Sequence, residues 1–448
     1  MKQKIFTLLL FLLASNFLNA QNSFLGIQNS QRKSMHSVGM NPAEINNLNR
    51  KIEVNLFSLQ GSLGNNILSF QDVLQDPDNM LETVFQNANK PVNVRTNVEV
   101  LGPSLGIKLN RWAFGISSQS FASLNVIDLD PKLGESISSN RMGTVRNEFS
   151  INSPLNQRIN INGWTELGVT AGLELIELNT HSLSVGATFK LLFPYLYTNV
   201  GLDKINGTLI QENDEVYLTN INGSANLSYS NDFLEDDAFG FTRNAFNFQN
   251  LEGFGVDLGA TYSWKDDLGT KVNAGLSLRN LGSMTFGRNQ VNRTYQVNIP
   301  ANEIFRLDNL EGNLNEIEQQ LVESGYFSNR SQLEGIQTSL PALLAAYGEL
   351  KISRIFYLSV YAQQRFNSVN NNDQLPAQNL FAVTPRLILG NFEVYSPWVR
   401  YEVAGLTGGI GFRFGGFFIG SHSVLTGLIA DTNQADIHIG LSLGFGKN

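Results

Sequence analysis

The sequence predicts an all-β protein that crosses a membrane as an antiparallel up-and-down barrel. Three observations carry this. Hydrophobic alternation of period two runs through most of the chain, its connections alternate between short and long, and its composition is poor in charge but rich in Gly, Asn and Phe. Charged residues are 16% of the 448, against roughly 25% in a usual soluble protein. Beyond residue 20 no stretch approaches the roughly 20 apolar residues that a membrane helix needs. A membrane-spanning form must then be a closed barrel, which satisfies strand backbone groups in lipid.

The N-terminus reads as an export signal. Met1 to Lys4 is basic, Ile5 to Leu13 is apolar with a single Thr, and small residues lead to Ala20. This layout predicts cleavage after Ala20, within a residue or two because Leu18 is larger than usual there. The apolar run is too short to span a bilayer. Residues 21–50 then form an N-terminal segment, periplasmic or lumenal, and 51–448 a single barrel domain. With no Cys, lipidation at the cleavage site, disulfides and thiolate chemistry are excluded. A net charge of −8 without a basic cluster argues against nucleic acid as a partner.

Individual strands show the alternation directly. Phe254, Val256, Leu258, Ala260, Tyr262 and Trp264 oppose Gly253, Gly255, Asp257, Gly259, Thr261 and Ser263. Leu183 to Leu191, Val272 to Leu278 and Ile437 to Phe445 repeat the pattern. Further candidates lie near 52–60, 100–109, 112–121, 165–176, 196–211, 215–229, 340–351, 354–366, 380–389, 392–402, 405–414 and 416–421. The count is about sixteen strands, with an error of about two. Short connections such as Asn110-Arg111, Lys265 to Gly269, Gly390-Asn391 and Gly415-Gly416 alternate with long ones near 61–99, 122–164, 230–252, 281–339, 367–379 and 422–435. That is the asymmetry of short periplasmic turns and longer outer loops, with one exception, the short outer connection near Ala404. A β-sandwich or propeller also alternates, but here the polar faces are Gly, Ser and Asn rather than Lys and Glu, and no blade-length repeat occurs.

Two long connections contain helical spacing. Met80, Leu81, Val84 and Phe85 share a face with Ala88, and Leu310, Leu314, Ile317 and Leu321 share another. Strand parity puts both on the outer side, over or inside the barrel mouth, as loop packing or as a lid over a hydrophobic entrance.

Ser37-Val38-Gly39-Met40-Asn41-Pro42-Ala43, soon after the signal, resembles outer-membrane barrels of the Bacteroidota, including PorV-like and PorP-like groups. These are similar to the long-chain fatty-acid transporter (FadL-like) superfamily. Gly253 to Ala260, Gly275 to Gly282 and Gly408 to Gly446 fit the same pattern, and the whole resembles a domain-of-unknown-function family of this kind. The resemblance implies about fourteen strands. With the helical spacings above, the expectation is a barrel of about 14 strands, within a range of roughly 12–16, with short helices in the outer loops. It implies no established substrate and no catalytic residues.

No enzyme chemistry is legible. His36, His181, His422 and His438 share no metal-ligand spacing, and no nucleophile elbow, phosphate loop or EF-hand occurs. No cofactor is expected. The candidates that remain are charges on polar strand faces, Lys108, Lys190, Asp257, Arg279, Arg365, Arg386 and Arg413, all expected to point into the lumen. Asp257 and Arg279 flank a turn almost symmetrically, which predicts an ion pair across the hairpin. Such charges either pack a polar interior or set the selectivity of a constriction. Asn41, Pro42 and Ala43 form either a turn that positions the first strand or part of a lumenal plug. Two functions follow as expectations. One is transport of small hydrophobic or amphipathic molecules across the outer membrane. The other is an accessory barrel that sits in outer-membrane lipid and binds a protein of a secretion, gliding or surface complex.

Overall fold

In the computed structural model of the chain the described residues are 19–20, 24–75, 80–138, 146–212, 215–230, 248, 250–267, 269–286, 290–307, 310, 312–333, 335–366, 368 and 371–446. A ring of about 14 antiparallel strands closes on itself. The strands are β1 (Ile52–Asn65), β2 (Val92–Leu101 and Ser104–Leu109), β3 (Trp112–Leu129), β4 (Asn156–Glu177), β5 (His181–Glu212), β6 (Gly253–Asp266) and β7 (Gly269–Phe286). They continue as β8 (Ile336–Ser339 and Leu343–Lys351), β9 (Phe356–Arg365), β10 (Asn379–Leu389), β11 (Phe392–Tyr395 and Trp398–Tyr401), β12 (Gly405–Gly408 and Ile410–Phe414), β13 (Phe417–Ser421) and β14 (Gln434–Phe445). β14 pairs with β1, from Ile52 opposite Phe445 to Gly64 opposite Gln434, and this closure leaves the ring without an edge.

The alternation maps onto two environments. In β6, Phe254, Leu258, Tyr262 and Trp264 are exposed on the outside, while Asp257, Thr261 and Ser263 are buried inside. Around the ring the outward band includes Phe57, Trp112, Phe114, Phe189, Leu276, Phe381, Trp398, Phe412, Phe414, Phe417 and Phe445. Several of these aromatics cluster at the end with the tight turns, where Trp112 stacks on Phe114. An apolar band of this extent belongs in lipid, and a closed barrel is the strand architecture that lipid tolerates. No helix among the described residues is long and apolar enough to cross a membrane. The tight turns use residues that accept the left-handed backbone, with φ of 55° at Asn110 and 59° at both Gly390 and Gly415.

The ring of about 14 strands is the number the resemblance implies and lies at the lower limit of the count of about sixteen. The segments 182–191 and 196–211 are one strand, β5, 32 residues long. Pro194 lies within this strand beside a bulge at Tyr195, the residue left over between Leu196 opposite Gly163 and Pro194 opposite Trp164, where a missing N–H is tolerated. The segment Glu215–Ser230 is a strand outside the ring. It folds back on the outer half of β5 and pairs on its other side with Gln290–Ile299. A spanning strand needs about 9–11 residues, so the outer half of β5 stands clear of the lipid and carries a second sheet.

That outer sheet has its own core, in which Leu209, Ile221, Leu227, Tyr229, Tyr295 and Ile299 are buried. The helix Leu314–Glu323 begins with a capping box between Asn313 and Glu316. Its Leu314 and Leu321 pack against this core, while Leu310 and Ile317 are half-buried. Glu318 is buried beneath the helix, where it accepts hydrogen bonds from Tyr229 at 2.6 Å and Arg293 at 2.9 Å, and also from Tyr295. Of the two expectations for this helix, loop packing and a lid, the contacts of Leu314 and Leu321 with the outer-sheet core fit the packing one. The helix Met80–Asn87 packs on the helix Pro131–Ser138, with Phe85 against Gly134 and Val84 half-buried. The side chains of Met80 and Leu81 lie outside the described residues.

Candidate functional site

The lumen is filled from one side by the N-terminal segment, Phe24 to Leu48. Its apolar residues Leu25, Ile27, Met40, Ala43 and Ile45 are fully buried. A short helix, Met35–Met40, leads into a 3-10 turn, Pro42–Asn47. Asn41 caps that turn by accepting from the Ala43 N–H at 3.0 Å, and Pro42 starts it with a preset φ. The Asn41 amide also donates to the carbonyls of Ala260 (3.0 Å) and Leu276 (3.2 Å) and to Tyr347 Oη (3.2 Å). The structure thus places Asn41, Pro42 and Ala43 against the inner wall of β6, β7 and β8.

Glycines make room for this segment. Gly106, Gly115, Gly172, Gly186 and Gly259 face it from five neighbouring strands, β2 to β6. A Cβ on Gly186 would lie 2.6 Å from the Pro42 carbonyl carbon and the Ala43 nitrogen, and one on Gly115 would lie 2.8 Å from Ile45 Cδ1. A Cβ on Gly259 would collide with the Asn41 side chain. The inward glycines that made the polar faces look merely small are a fitted seat.

Charge fastens the same segment. Glu44, fully buried, pairs with Lys33 at 2.9 Å and accepts from Asn273 at 3.0 Å and from Tyr347. Arg386 pairs with Glu349 at 3.2 Å and with Glu393, and donates to the Gly26 carbonyl at 2.7 Å. Arg279 donates to the Gly39 carbonyl at 3.1 Å and Arg413 to the Arg32 carbonyl at 3.0 Å. Arg365 sits nearer the outer rim, bonded to the Ala377 carbonyl (2.7 Å) and paired with Glu402 (2.9 Å). Burial raises the Glu402 carboxyl above its ordinary value, against the pull of Arg365 and Arg95. Lys108 is half-buried at the tight-turn end and makes no ion pair among the described residues.

The expected Asp257–Arg279 pair does not form. Asp257 pairs instead with Lys190 at 2.9 Å and accepts from the Asn280 N–H at 2.7 Å; Lys190 also reaches Glu166 at 3.2 Å. The cause is a bulge in the β6–β7 ladder between Val256 and Leu258, opposite Asn280 with φ of 59°. It releases Arg279 towards Tyr361, Gln363 and the N-terminal segment. Glu166, Glu349 and Glu393, absent from the sequence candidates, are the acidic partners of the predicted cations. Their inward strand parity was the signal that could have found them.

The other end of the lumen is covered by the β9–β10 connection. Leu375 is buried with Trp164, Tyr197 and Leu340. The Asn372 side-chain oxygen accepts from Asn156 (3.0 Å) and Arg158 (3.2 Å), and its carbonyl accepts from Tyr197 Oη (2.6 Å). Between this roof and the N-terminal segment lies a cavity of about 110 Å³. One part of its wall is aromatic, with Phe24, Phe121, Trp164 and Tyr401. Another is charged, with Arg95, Glu99, Glu166, Lys190 and Arg279. Arg95 Nε, Arg279 Nε, Gln60 Oε1 and Gln378 Oε1 are buried around it without a hydrogen-bond partner.

Residues 42–422 match the family of unknown function DUF5723, a match that starts at Pro42 of the N-terminal segment and ends just before β14. The chain belongs to the DUF5723 family. No curated protein matches this DUF5723 chain. Among solved structures it is similar to the CymD monoaromatic hydrocarbon channel, at 12% identity and a TM-score of 0.41, covering 93% of this chain and 94% of that one. It is also similar to the Pseudomonas putida toluene transporter TodX, at 8% identity and a TM-score of 0.41, covering 91% and 93%. A Pseudomonas aeruginosa FadL homologue aligns at 9% identity and a TM-score of 0.34, covering 96% and 98%. These likenesses concern the barrel fold and supply no substrate for the DUF5723 chain.

Proposed function

We propose that this DUF5723 barrel is exported by its N-terminal signal, spans the bacterial outer membrane, and admits small amphipathic molecules through a lumen gated by residues 24–48. The observation that supports this reading is the chamber, covered on one side by the plug and on the other by the β9–β10 roof. Its aromatic wall suits an apolar body, and its charges and unpartnered polar atoms suit a polar head. A volume of about 110 Å³ is ample for a small molecule, since one water needs roughly 10–15 Å³ in the same measure. A pure hydrocarbon would leave the polar wall desolvated and unpaired, which costs about 1–3 kcal/mol per group. The proposed role is passage without chemical change.

Trp164 is a built-in reporter. It lines the chamber, whereas Trp112, Trp264 and Trp398 are exposed on the outer face. In a variant carrying W112F, W264F and W398F, octanoate or octylamine is expected to give a saturating change in Trp164 emission, and octane none. A response to octane alone would contradict the amphipathic reading, and no response to any of the three would remove the chamber as a binding site.

A second reading draws on the outer sheet. It has its own core beyond the ring, and passage through the lumen does not require it. On that reading the barrel is an accessory that presents the sheet to a partner protein, and a chamber silent in the Trp164 titration would favour it.

A further inference from the structure

Three of the four histidines meet at the seam between the N-terminal segment and β13–β14. His36 packs edge-on against Phe418, and the rings of His422 and His438 lie 4.9 Å apart. One ring nitrogen of His422, one of His438 and a carboxylate oxygen of Asp436 lie within 4.8 Å of one another. We propose that His422, Asp436 and His438 bind a divalent d-block cation of the zinc class, and that the bound ion fastens the N-terminal segment to the barrel wall.

The hydrogen bonding around His422 turns one ring nitrogen towards a carboxylate. Its Nε2 lies 3.0 Å from the Leu25 carbonyl, which can only accept, so Nε2 carries the proton. In the neutral ring Nδ1 then presents a lone pair, which accepts from Tyr401 Oη at 3.2 Å and lies 3.2 Å from Asp436 Oδ2. A cation bound between Nδ1 and the carboxylate would replace that Tyr401 hydrogen bond. His438 supplies a second donor. Its Nε2 is held by Tyr395 Oη at 2.7 Å, and its buried Nδ1 has no hydrogen-bond partner.

The spacing is compatible with zinc. Bonds of about 2.0–2.1 Å in a tetrahedron put ligand atoms about 3.3 Å apart. The His422–Asp436 separation of 3.2 Å already matches that edge. The 4.8 Å limit on the set leaves His438 roughly 1.5 Å to close at most. Two imidazoles and one carboxylate favour a borderline cation over Mg2+ or Ca2+, and leave a fourth position for water. The side chains of His422 and Asp436 are fully buried, and Tyr401, hydrogen-bonded to His422, lines the chamber, so an ion would arrive from the chamber past Tyr401.

Binding at Nδ1 locks the tautomer in which His422 Nε2–H donates to Leu25. A metal-bound imidazole is the stronger donor through its other nitrogen. The ion would thereby tighten an attachment of the N-terminal segment without touching that segment itself.

The test is Zn2+ titration of the full-length folded protein in detergent, in competition with a chromophoric chelator. One site is expected, with a Kd in the micromolar range or below. H422Q, H438Q and D436N should each weaken it at least tenfold, H181Q should leave it unchanged, and millimolar Mg2+ should not compete. Heat-modifiable migration identifies variants that fold, and any one of the three ligand variants that folds carries the test. Because the chain has no Cys, Gln28→Cys gives a single reporter on the segment, and its maleimide labelling should slow several-fold when Zn2+ is added. Zn2+ binding no tighter in the wild type than in H422Q, H438Q or D436N would overturn the site. Binding that leaves the labelling rate unchanged would overturn the fastening role.

Discussion

Arg386→Ala is expected to lower the unfolding free energy by about 3–5 kcal/mol, the range for breaking a buried ion pair from one side. Arg386 is among the largest fully buried side chains, and Glu349 and Glu393 beside it are buried as well. Removing the guanidinium strands two carboxylates, with Arg32 at 3.7 Å from Glu393 as partial compensation. It also removes the bond to the Gly26 carbonyl, so the N-terminal segment should loosen along with the barrel. Urea unfolding in micelles, followed by the loss of heat-modifiable migration, gives the number. Arg386→Met combined with Glu349→Gln and Glu393→Gln should recover much of the loss, since the penalty lies in the unpaired charges. A change below about 1 kcal/mol for Arg386→Ala would mean that water reaches this cluster.

Gly186→Val is expected to unseat the N-terminal segment while leaving the barrel folded. The atoms that a Cβ would meet are backbone atoms of Pro42 and Ala43, so no side chain can rotate away. Overpacking of this kind costs typically about 1–3 kcal/mol. The cheaper response is for the segment to lift, because the β5 ladders to β4 and β6 are continuous at this point. The expected readout is a rise of at least tenfold in the labelling rate of the Gln28→Cys reporter, with heat-modifiable migration retained. Gly61→Val is the control, since nothing lies within 4 Å of its Cβ position. Equal labelling in the two variants would mean that the glycine floor does not seat the segment.

The ring was legible because a closed membrane barrel repeats one local rule, as β6 shows with lipid-facing Phe254, Leu258 and Tyr262 against lumenal Asp257 and Thr261. Local rules failed where a partner lies far along the chain. The Asn41 amide is held by Ala260 and Tyr347, 219 and 306 residues away, and no periodicity reports that. Asp257 was assigned the wrong cation because a bulge is invisible to alternation; both Asp257 and Arg279 are buried, but each finds other partners. The segments 182–191 and 196–211 read as two strands because the bulge at Tyr195, next to Pro194, interrupts the alternation within one strand. The roof over the chamber hangs on Asn372, one polar residue in a connection that reads only as long.

The central claim is that residues 24–48 close the lumen. The measurement that tests it most directly is conductance across a planar bilayer, comparing the intact signal-free protein with a variant lacking residues 24–48 whose roof is also released by Asn372→Gly, both checked for heat-modifiable migration. The account predicts silence from the intact protein and steady single channels from the shortened one, because a ring of about 14 strands is wider than the roughly eight-stranded barrel that side chains alone can fill. Steady conductance from the intact protein, or silence from a correctly folded shortened one, would contradict it.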